Sequence, residues 1–211
     1  GTVGGGAFEH HVVQTARDLL TDPARQVAAV EVHLVQDLGM CCGGRMSAFL
    51  ERIDPPPRLW IFGGGHVAAA LAPVVAGLDF QLVIVDERAE WADPARFPAG
   101  AKVLDADPQD VVRRDPPAPT DRALVVTHDH ALDEALIRRL APHPLAWLGL
   151  VGSRGKWARF RRRLEARGIE PAALDRVRCP VGLDIGAVTP AEIAVSVAAD
   201  LVAHLRGVEA P

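Results

Sequence analysis

The sequence predicts an α/β protein, a parallel sheet domain preceded by a small α+β unit, and three observations predict it. Leu59-Trp60-Ile61-Phe62 is an apolar run of strand length that ends in Gly63-Gly64-Gly65. An alanine-rich segment of about three helical turns follows and leads into a second apolar run, Gln81 to Val85, closed by Asp86. Apolar runs and helical segments then keep alternating to the end of the chain, the pattern of an open parallel sheet.

From the N-terminus, Gly1-Thr2-Val3-Gly4-Gly5-Gly6 has neither an initiator Met nor a signal-peptide pattern and reads as the interior of a longer chain. Phe8, Val12, Val13, Ala16, Leu19 and Leu20 recur at helical spacing, so an amphipathic helix is expected over 7–20. Val30, Val32 and Leu34 alternate with Glu31 and His33, and Met46, Ala48 and Leu50 alternate with Ser47 and Glu51, giving two half-buried strands. Between them lies Gly39-Met40-Cys41-Cys42-Gly43-Gly44. The small unit therefore covers residues 1–54. Pro55-Pro56-Pro57 cannot continue a helix or a central strand and forms the linker, and residues 58–211 form the sheet domain.

In that domain the glycines fit G-x-G-x-x-A. Gly63 permits the tight turn, Gly65 lets backbone N–H groups approach a pyrophosphate at the helix N-terminus, and Ala68 keeps helix and strand close. Asp86 stands at the distance expected for an acid that meets a ribose 2′-OH. Together these spell a Rossmann-like βαβ unit, although such a fold does not fix its ligand. Further strands are expected over 102–104, 123–127 and 145–151. Helices are expected over 108–114, 132–140 and 156–167. Thr189-Pro190-Ala191-Glu192 is a capping box with Pro at the first helical position of a last helix.

Ligands of open α/β sheets lie beyond the carboxyl ends of the strands. The candidates are therefore Gly63, Gly65 and His66 after the first strand of the domain, and Asp86 and Arg88 after the second. Thr127, His128 and His130 follow the fourth, and Gly152, Ser153, Arg154 and Lys156 follow the fifth. Arg154, Lys156 and neighbouring helix amides suit a phosphate or another anion. His66 either touches a phosphate or ring or simply faces solvent. His128, His130 and Asp133 invite a metal, but a loop in which Asp129 caps the next helix explains them as well. Ser153 lacks a nucleophile-elbow setting.

Cys41 and Cys42 sit among small residues, where a thiolate would ligate a soft metal or carry sulfur as a persulfide; the plain alternative is two small hydrophobes at a strand–loop junction. Cys179 is the third cysteine, and an odd, small count speaks for a reducing compartment, so the cytoplasm is the expected location. The 211 residues carry a net charge of −4, which gives no reason to expect nucleic acid or a membrane surface as partner, and no apolar run reaches spanning length.

Several stretches together resemble the XdhC/CoxI family, accessory proteins of xanthine dehydrogenase and related molybdenum hydroxylases. They are 1–9, Gly39 to Gly44, Phe62 to Val67, Asp86 to Arg88, Phe97-Pro98, Thr127 to Asp133, Gly149 to Lys156 and Pro180 to Ser196. The resemblance implies a chaperone rather than an enzyme. It would bind molybdenum cofactor (molybdopterin), assist its sulfuration by a cysteine desulfurase, and insert it into an apo-enzyme of the xanthine dehydrogenase type, as a homodimer. The family's Met-Cys-Gly-Gly element falls where this chain has two cysteines. Cys42, directly before Gly43-Gly44, aligns most naturally and becomes a candidate contact to molybdenum or its sulfur, with Cys41 sharing or duplicating that role. Members carry a further stretch, including a hairpin, ahead of the position of Gly1. The competing expectation is an NAD(P)-dependent oxidoreductase or a nucleotide-sensing regulator, with Asp86 on the ribose and His128 or His130 as proton donor.

Overall fold

The computed structural model describes residues 1–33 and 44–208. The chain divides into two compact units, Gly1–Pro55 and Pro56–Pro211.

In the first unit, helix α1 (Gly6–Thr21) packs on an antiparallel pair, β1 (Val27–His33) and β2 (Arg45–Glu51), with Val30 opposite Ala48. Strand alternation sends Val30, Val32, Met46, Ala48 and Leu50 to the side where α1 presents Phe8 and Val12. Arg52 closes the C-terminal end of α1 by donating from Nη1 to the carbonyls of Leu19 (3.2 Å) and Asp22 (2.7 Å), groups that a helix end leaves without partners. Cys41 and Cys42 lie outside the described residues, as do positions 34 and 35 of the first expected strand.

The second unit is a six-stranded, fully parallel sheet in the order β5-β4-β3-β6-β7-β8. Its strands are β3 (Arg58–Phe62), β4 (Gln81–Asp86), β5 (Lys102–Asp105), β6 (Arg122–Val125), β7 (Trp147–Leu150) and β8 (Val177–Arg178). Read from the first strand of the domain, this is the 3-2-1-4-5-6 arrangement of the Rossmann fold, in which the strand order reverses between β3 and β6. Both faces are covered, so the strands are apolar on both sides. Leu59, Ile61, Leu82, Ile84 and Leu124 face α2 (His66–Val75) and α7 (Pro190–Leu205). Trp60, Phe62, Val83, Val85, Ala123 and Val125 face the opposite layer, built from α3 (Pro108–Arg114), α4 (His130–Leu140), α5 (Arg154–Ala166) and α6 (Pro171–Asp175).

Asp121 anchors the amino edge. Its buried carboxylate accepts from the Arg58 amide (3.0 Å), Arg58 Nε (2.8 Å), Trp60 Nε1 (3.1 Å) and the Ala118 amide (2.8 Å), tying the start of β3 to the loop before β6. The capping box of α7 is formed on both sides by Thr189 and Glu192, and Asp129 caps α4 by accepting from the Ala131 amide. Some details depart from the expectation: α2 ends at Val75, short of Leu78; α4 and α5 each begin two residues early, at His130 and Arg154; β7 is confined to Trp147–Leu150; and α6, the two-residue β8 and a 3-10 turn at Pro94–Arg96 have no counterpart among the expected elements.

Candidate functional site

The loops that follow β3, β4, β6 and β7 all leave the carboxyl edge of the sheet, and a chain of direct contacts connects them. At Gly63 the backbone has φ +112°, a conformation that side chains rarely tolerate. A Cβ there would also fall 2.7 Å from the Val126 carbonyl carbon and 2.9 Å from Thr127 Cα. The turn is thus pressed against the β6 loop. Gly64 is equally confined, since a Cβ would strike the Trp91 carbonyl, and its amide donates to Asp86 Oδ2 at 2.8 Å. Gly65 differs: a Cβ would meet nothing within 4 Å, so open space lies beside it. It is the N-cap of α2 and offers no side chain to the first-turn amides, which face that space as donors.

Asp86 is 3% exposed, and its carboxylate is fully engaged within the chain. It accepts from Gly64 N, from Arg88 N (3.1 Å) and from Arg88 Nε and Nη2 (both 2.9 Å). Burial pushes its pKa up, but the Arg88 guanidinium and the two amides outweigh burial and hold the carboxyl below its ordinary value. Within the chain, then, Asp86 clamps the glycine turn and Arg88 neutralises it, so both carboxylate oxygens are engaged rather than free. Trp91 and Arg96 complete the clamp. Arg96 Nη1 donates to the carbonyls of Gly64 (2.9 Å) and Trp91 (3.2 Å), and its guanidinium lies 4.4 Å from the centre of the indole. His66 is exposed and meets the same indole edge-on at 5.0 Å, so it belongs to the rim of this clamp.

Thr127 opens the β6 loop. Its amide donates to Asp133 Oδ1 (3.1 Å), and its Oγ1 lies 2.7 Å from the same oxygen and 2.9 Å from the Asp129 carbonyl. Asp133 Oδ2 accepts from Lys156 Nζ at 2.6 Å, and Lys156 also donates to the Val151 carbonyl at 3.0 Å. Lys156 is 7% exposed and Asp133 1%. Lys156 is thus half of a buried ion pair that binds the β6 loop to the β7 loop. Gly152 accommodates its stem, for a Cβ there would stand 2.6 Å from Lys156 Cδ. Ser153 is the N-cap of α5 and accepts from the Lys156 amide at 3.1 Å, a structural use of its hydroxyl.

His128 and His130 are exposed, and His130 Nδ1 stands 3.8 Å from Asp133 Oδ2. Among the described residues no group of three or more His, Cys, Asp or Glu side chains is arranged to hold a metal ion. Cys179 packs against the core and donates its S–H to the Gly152 carbonyl at 3.7 Å; burial pushes its thiol up to about 11.

Arg154 is exposed at the first turn of α5 and lines a cavity of about 660 Å³. Its other walls are Val151, Gly152, the segment Pro180 to Ala187, Ile193 and Ser196. That segment is held from below. Gly182 N donates to Asp200 Oδ2 (3.2 Å), Leu183 N to the Ser196 carbonyl (3.2 Å), Ser196 Oγ to the Leu183 carbonyl (2.6 Å) and Val181 N to the Leu150 carbonyl (3.3 Å). Gly182 has φ +96°, and a Cβ on it would press into Ser196. Asp200 is itself paired with Arg178 at 2.7 Å.

Sequence reasoning misses Trp91, Arg96, Asp184, Ser196 and Asp200 as site residues. The signals that could find them are a lone Trp in a polar loop and the glycine pair at 182 and 186 ahead of a capping box. No helix among the described residues is long and apolar enough to cross a membrane.

Comparison with known proteins agrees with the Rossmann fold of the second unit. The family model described as the XdhC Rossmann domain matches residues 59–201. An uncharacterized protein of Escherichia coli, YqeB, is 34% identical over 204 residues, covering 95% of this chain and 37% of its own. A Bacillus subtilis protein named as a probable component of xanthine dehydrogenase is 34% identical over 156 residues, 74% of this chain and 45% of its own. A crystal structure titled as a xanthine dehydrogenase from Bacillus halodurans superposes with a TM-score of 0.64 at 29% identity, covering 77% of this chain and 47% of that one. The chain spans less than half the length of each of these relatives. With the family model covering strand β3 through most of α7, the chain belongs to the XdhC family.

Proposed function

We propose that the chain is an accessory protein of a xanthine dehydrogenase-type molybdenum hydroxylase, one that binds molybdenum cofactor, assists its sulfuration and inserts it into the apo-enzyme. The observation that carries the reading is the opening of α2. Its first-turn amides have no side-chain cap and face open space at Gly65, which fits the phosphate of a pterin mononucleotide or dinucleotide. Arg154 opens α5, just beyond β7, whose carboxyl end lies two strand spacings or roughly 10 Å from that of β3 along the same edge. Amides at Gly65, His66 and Val67 would hold the phosphate, and Arg154 would add positive charge to the same edge. Bound molybdenum cofactor supplies the metal and sulfur chemistry; the residues of this chain bind, orient and shield it. Cys42, or Cys41 beside it, is on the family resemblance alone the thiol that meets molybdenum or its sulfur.

In this reading the protein works in the cytoplasm as a homodimer, receiving sulfur from a cysteine desulfurase and delivering to the apo-enzyme. The names of the Bacillus relatives support a xanthine dehydrogenase as the client. A nicotinamide-dependent enzyme would need Asp86 to release Arg88 and Gly64 before it met a ribose, which costs the clamp described above. The test is retention. The full chain, loaded anaerobically with excess molybdenum cofactor, is expected to keep about one equivalent through gel filtration, and Cys41→Ser or Cys42→Ser to abolish delivery of active, sulfurated enzyme. Loss of all cofactor on the column rejects the proposal.

A further inference from the structure

The two helical layers that cover the sheet meet water differently. On one face α4 and α5 turn Arg138, Arg159, Arg162 and Arg163 outward, the charged outer side expected of a surface helix. On the other, α2 carries no Asp, Glu, Lys or Arg along its length, and its exposed side chains are His66, Pro73 and Val74. In α7 the usual relation is inverted. Ser196 and Asp200 are buried beneath the helix, while the outward positions from 195 to 205 are Val195, Ala199, Val202, Ala203 and Leu205, joined by the half-buried His204. Val195 is 54% exposed, Val202 38%, and Val188 ahead of the helix 81%.

The fold does not need these outward valines. Leu71, Ala72, Val75, Ala194, Val197 and Leu201 are fully buried, and they already supply the contact of both helices with the sheet. A β-branched side chain on the water side of a helix has a poor helix propensity and none of the burial that would offset it. A continuous apolar side of this kind, bare of charge, marks a surface that another protein covers.

We infer that the outer side of the α2–α7 layer is the contact through which two copies of this chain associate about a two-fold axis, with their α7 helices antiparallel. Side-chain size along α7 runs large, small, large at Val195, Ala199 and Val202, and it reads the same in both directions, as an isologous contact requires. Val195 of one copy then lies opposite Val202 of the other, and Ala199 near the axis lets the backbones approach. The same register brings Glu192 at one end of α7 toward Arg206 at the other, so opposite charges meet at the rim. A second copy also fits the apolar centre better than a visiting partner does, because permanent homodimer contacts are the more apolar class. The sixteen residues of α7 span about 24 Å, and with α2 about 10 Å beside it the face measures roughly 500 Å² in plan. Side-chain relief brings that toward the ~800 Å² per partner of a standard interface. This contact gives the homodimer of the function proposed above its surface and depends on none of the cofactor chemistry.

The experiment is sedimentation equilibrium of the full chain at micromolar concentration. The parent is expected at about 45 kDa, twice the 22.5 kDa of one chain. Val195→Glu and Val202→Glu each set a carboxylate against an apolar surface and should weaken the dimer by about 100-fold or more. Arg159→Glu and Arg162→Glu, on the opposite layer, should leave it within about twofold. Raising salt from about 0.1 M to about 1 M should not dissociate the parent, since no screened attraction holds it. Circular dichroism matching the parent shows the variants folded. Where a glutamate variant fails that control, Ala199→Cys decides: oxidised glutathione should take two electrons from the paired thiols and leave a disulfide between copies, mapped by mass to position 199. A monomeric parent, a dimer that both glutamate variants keep, or no disulfide at 199 overturns the inference; a monomer would leave the face to a client protein, and a dimer lost through Arg159→Glu would put the contact on α5. Failure of the function proposed above looks different: the chain stays dimeric through α7 while molybdenum cofactor is lost on the column. A monomer that still retains cofactor sinks the present inference alone.

Discussion

Lys156 Nζ and Asp133 Oδ2 lie 2.6 Å apart with both side chains buried, and through Thr127 and Val151 this pair ties the β6 loop to the β7 loop. Removing one member leaves the other charge buried without its partner, the costly way to break such a pair. Lys156→Met is expected to lower unfolding free energy by about 3–5 kcal/mol. Adding Asp133→Asn to it should cost little more, because the stranded charge is then gone. Urea denaturation of the two single variants and the double variant checks this; additive losses would show that the two side chains act separately.

The three glycines of the turn should respond in opposite ways. Gly63→Ala places a methyl against Val126 and Thr127 at φ +112°, and a loss of about 2 kcal/mol or more is expected. Gly64→Ala meets the Trp91 carbonyl and should behave alike. Gly65→Ala meets no atom and has φ −66°, so only the poorer N-cap preference of Ala, under about 1 kcal/mol, should be lost. Its methyl nevertheless enters the space in front of the α2 amides, and retention of molybdenum cofactor should fall. A Gly65→Ala protein destabilised as much as Gly63→Ala would mean that the open space is not there.

The Asp86 clamp sets an acid limit. Its carboxyl titrates below its ordinary value in the folded chain because Arg88 and two amides outweigh burial. The stabilisation is therefore complete above the unfolded-state pKa, about pH 4, and is lost as pH falls through the lower folded value. Asp86→Asn should be markedly less stable than the parent at pH 7, and the difference should narrow below about pH 4. Parallel melting curves at pH 7 and pH 3 decide it; a pH-independent gap contradicts the clamp.

Thiol chemistry should be partitioned among three cysteines. With its pKa at about 11 and its sulfur against the core, Cys179 should resist iodoacetamide at pH 7.5. Mass mapping of the native protein after brief alkylation should find label at Cys41 or Cys42 before Cys179. Early labelling of Cys179 would refute the burial argument.

Much of this arrangement was legible in the sequence because it is written locally. Alternation along β1 and β2, apolar runs for the parallel strands, the Thr189–Glu192 box and the Asp129 cap each concern residues a few positions apart. What the sequence does not display is contact fixed at long range. Neither Asp133 nor Lys156 shows its partner 23 residues away, so Lys156 reads as a free cation. Asp86 reads as a ribose ligand because its position fits that pattern, and only the fold brings Gly64 onto its other oxygen. Strand β8 is two residues long, too short for any periodicity, although Pro171 at the start of α6 is a usable helix signal.

The Trp91–Arg96 bracket has a thermodynamic consequence. Because Arg96 already holds the Gly64 and Trp91 carbonyls and Asp86 the Gly64 amide, the turn beside α2 would have little freedom left to surrender if, as proposed above, a phosphate bound there. Most of the entropy of shaping that corner was spent when the chain folded, so even a weakly interacting ligand would not have to supply it.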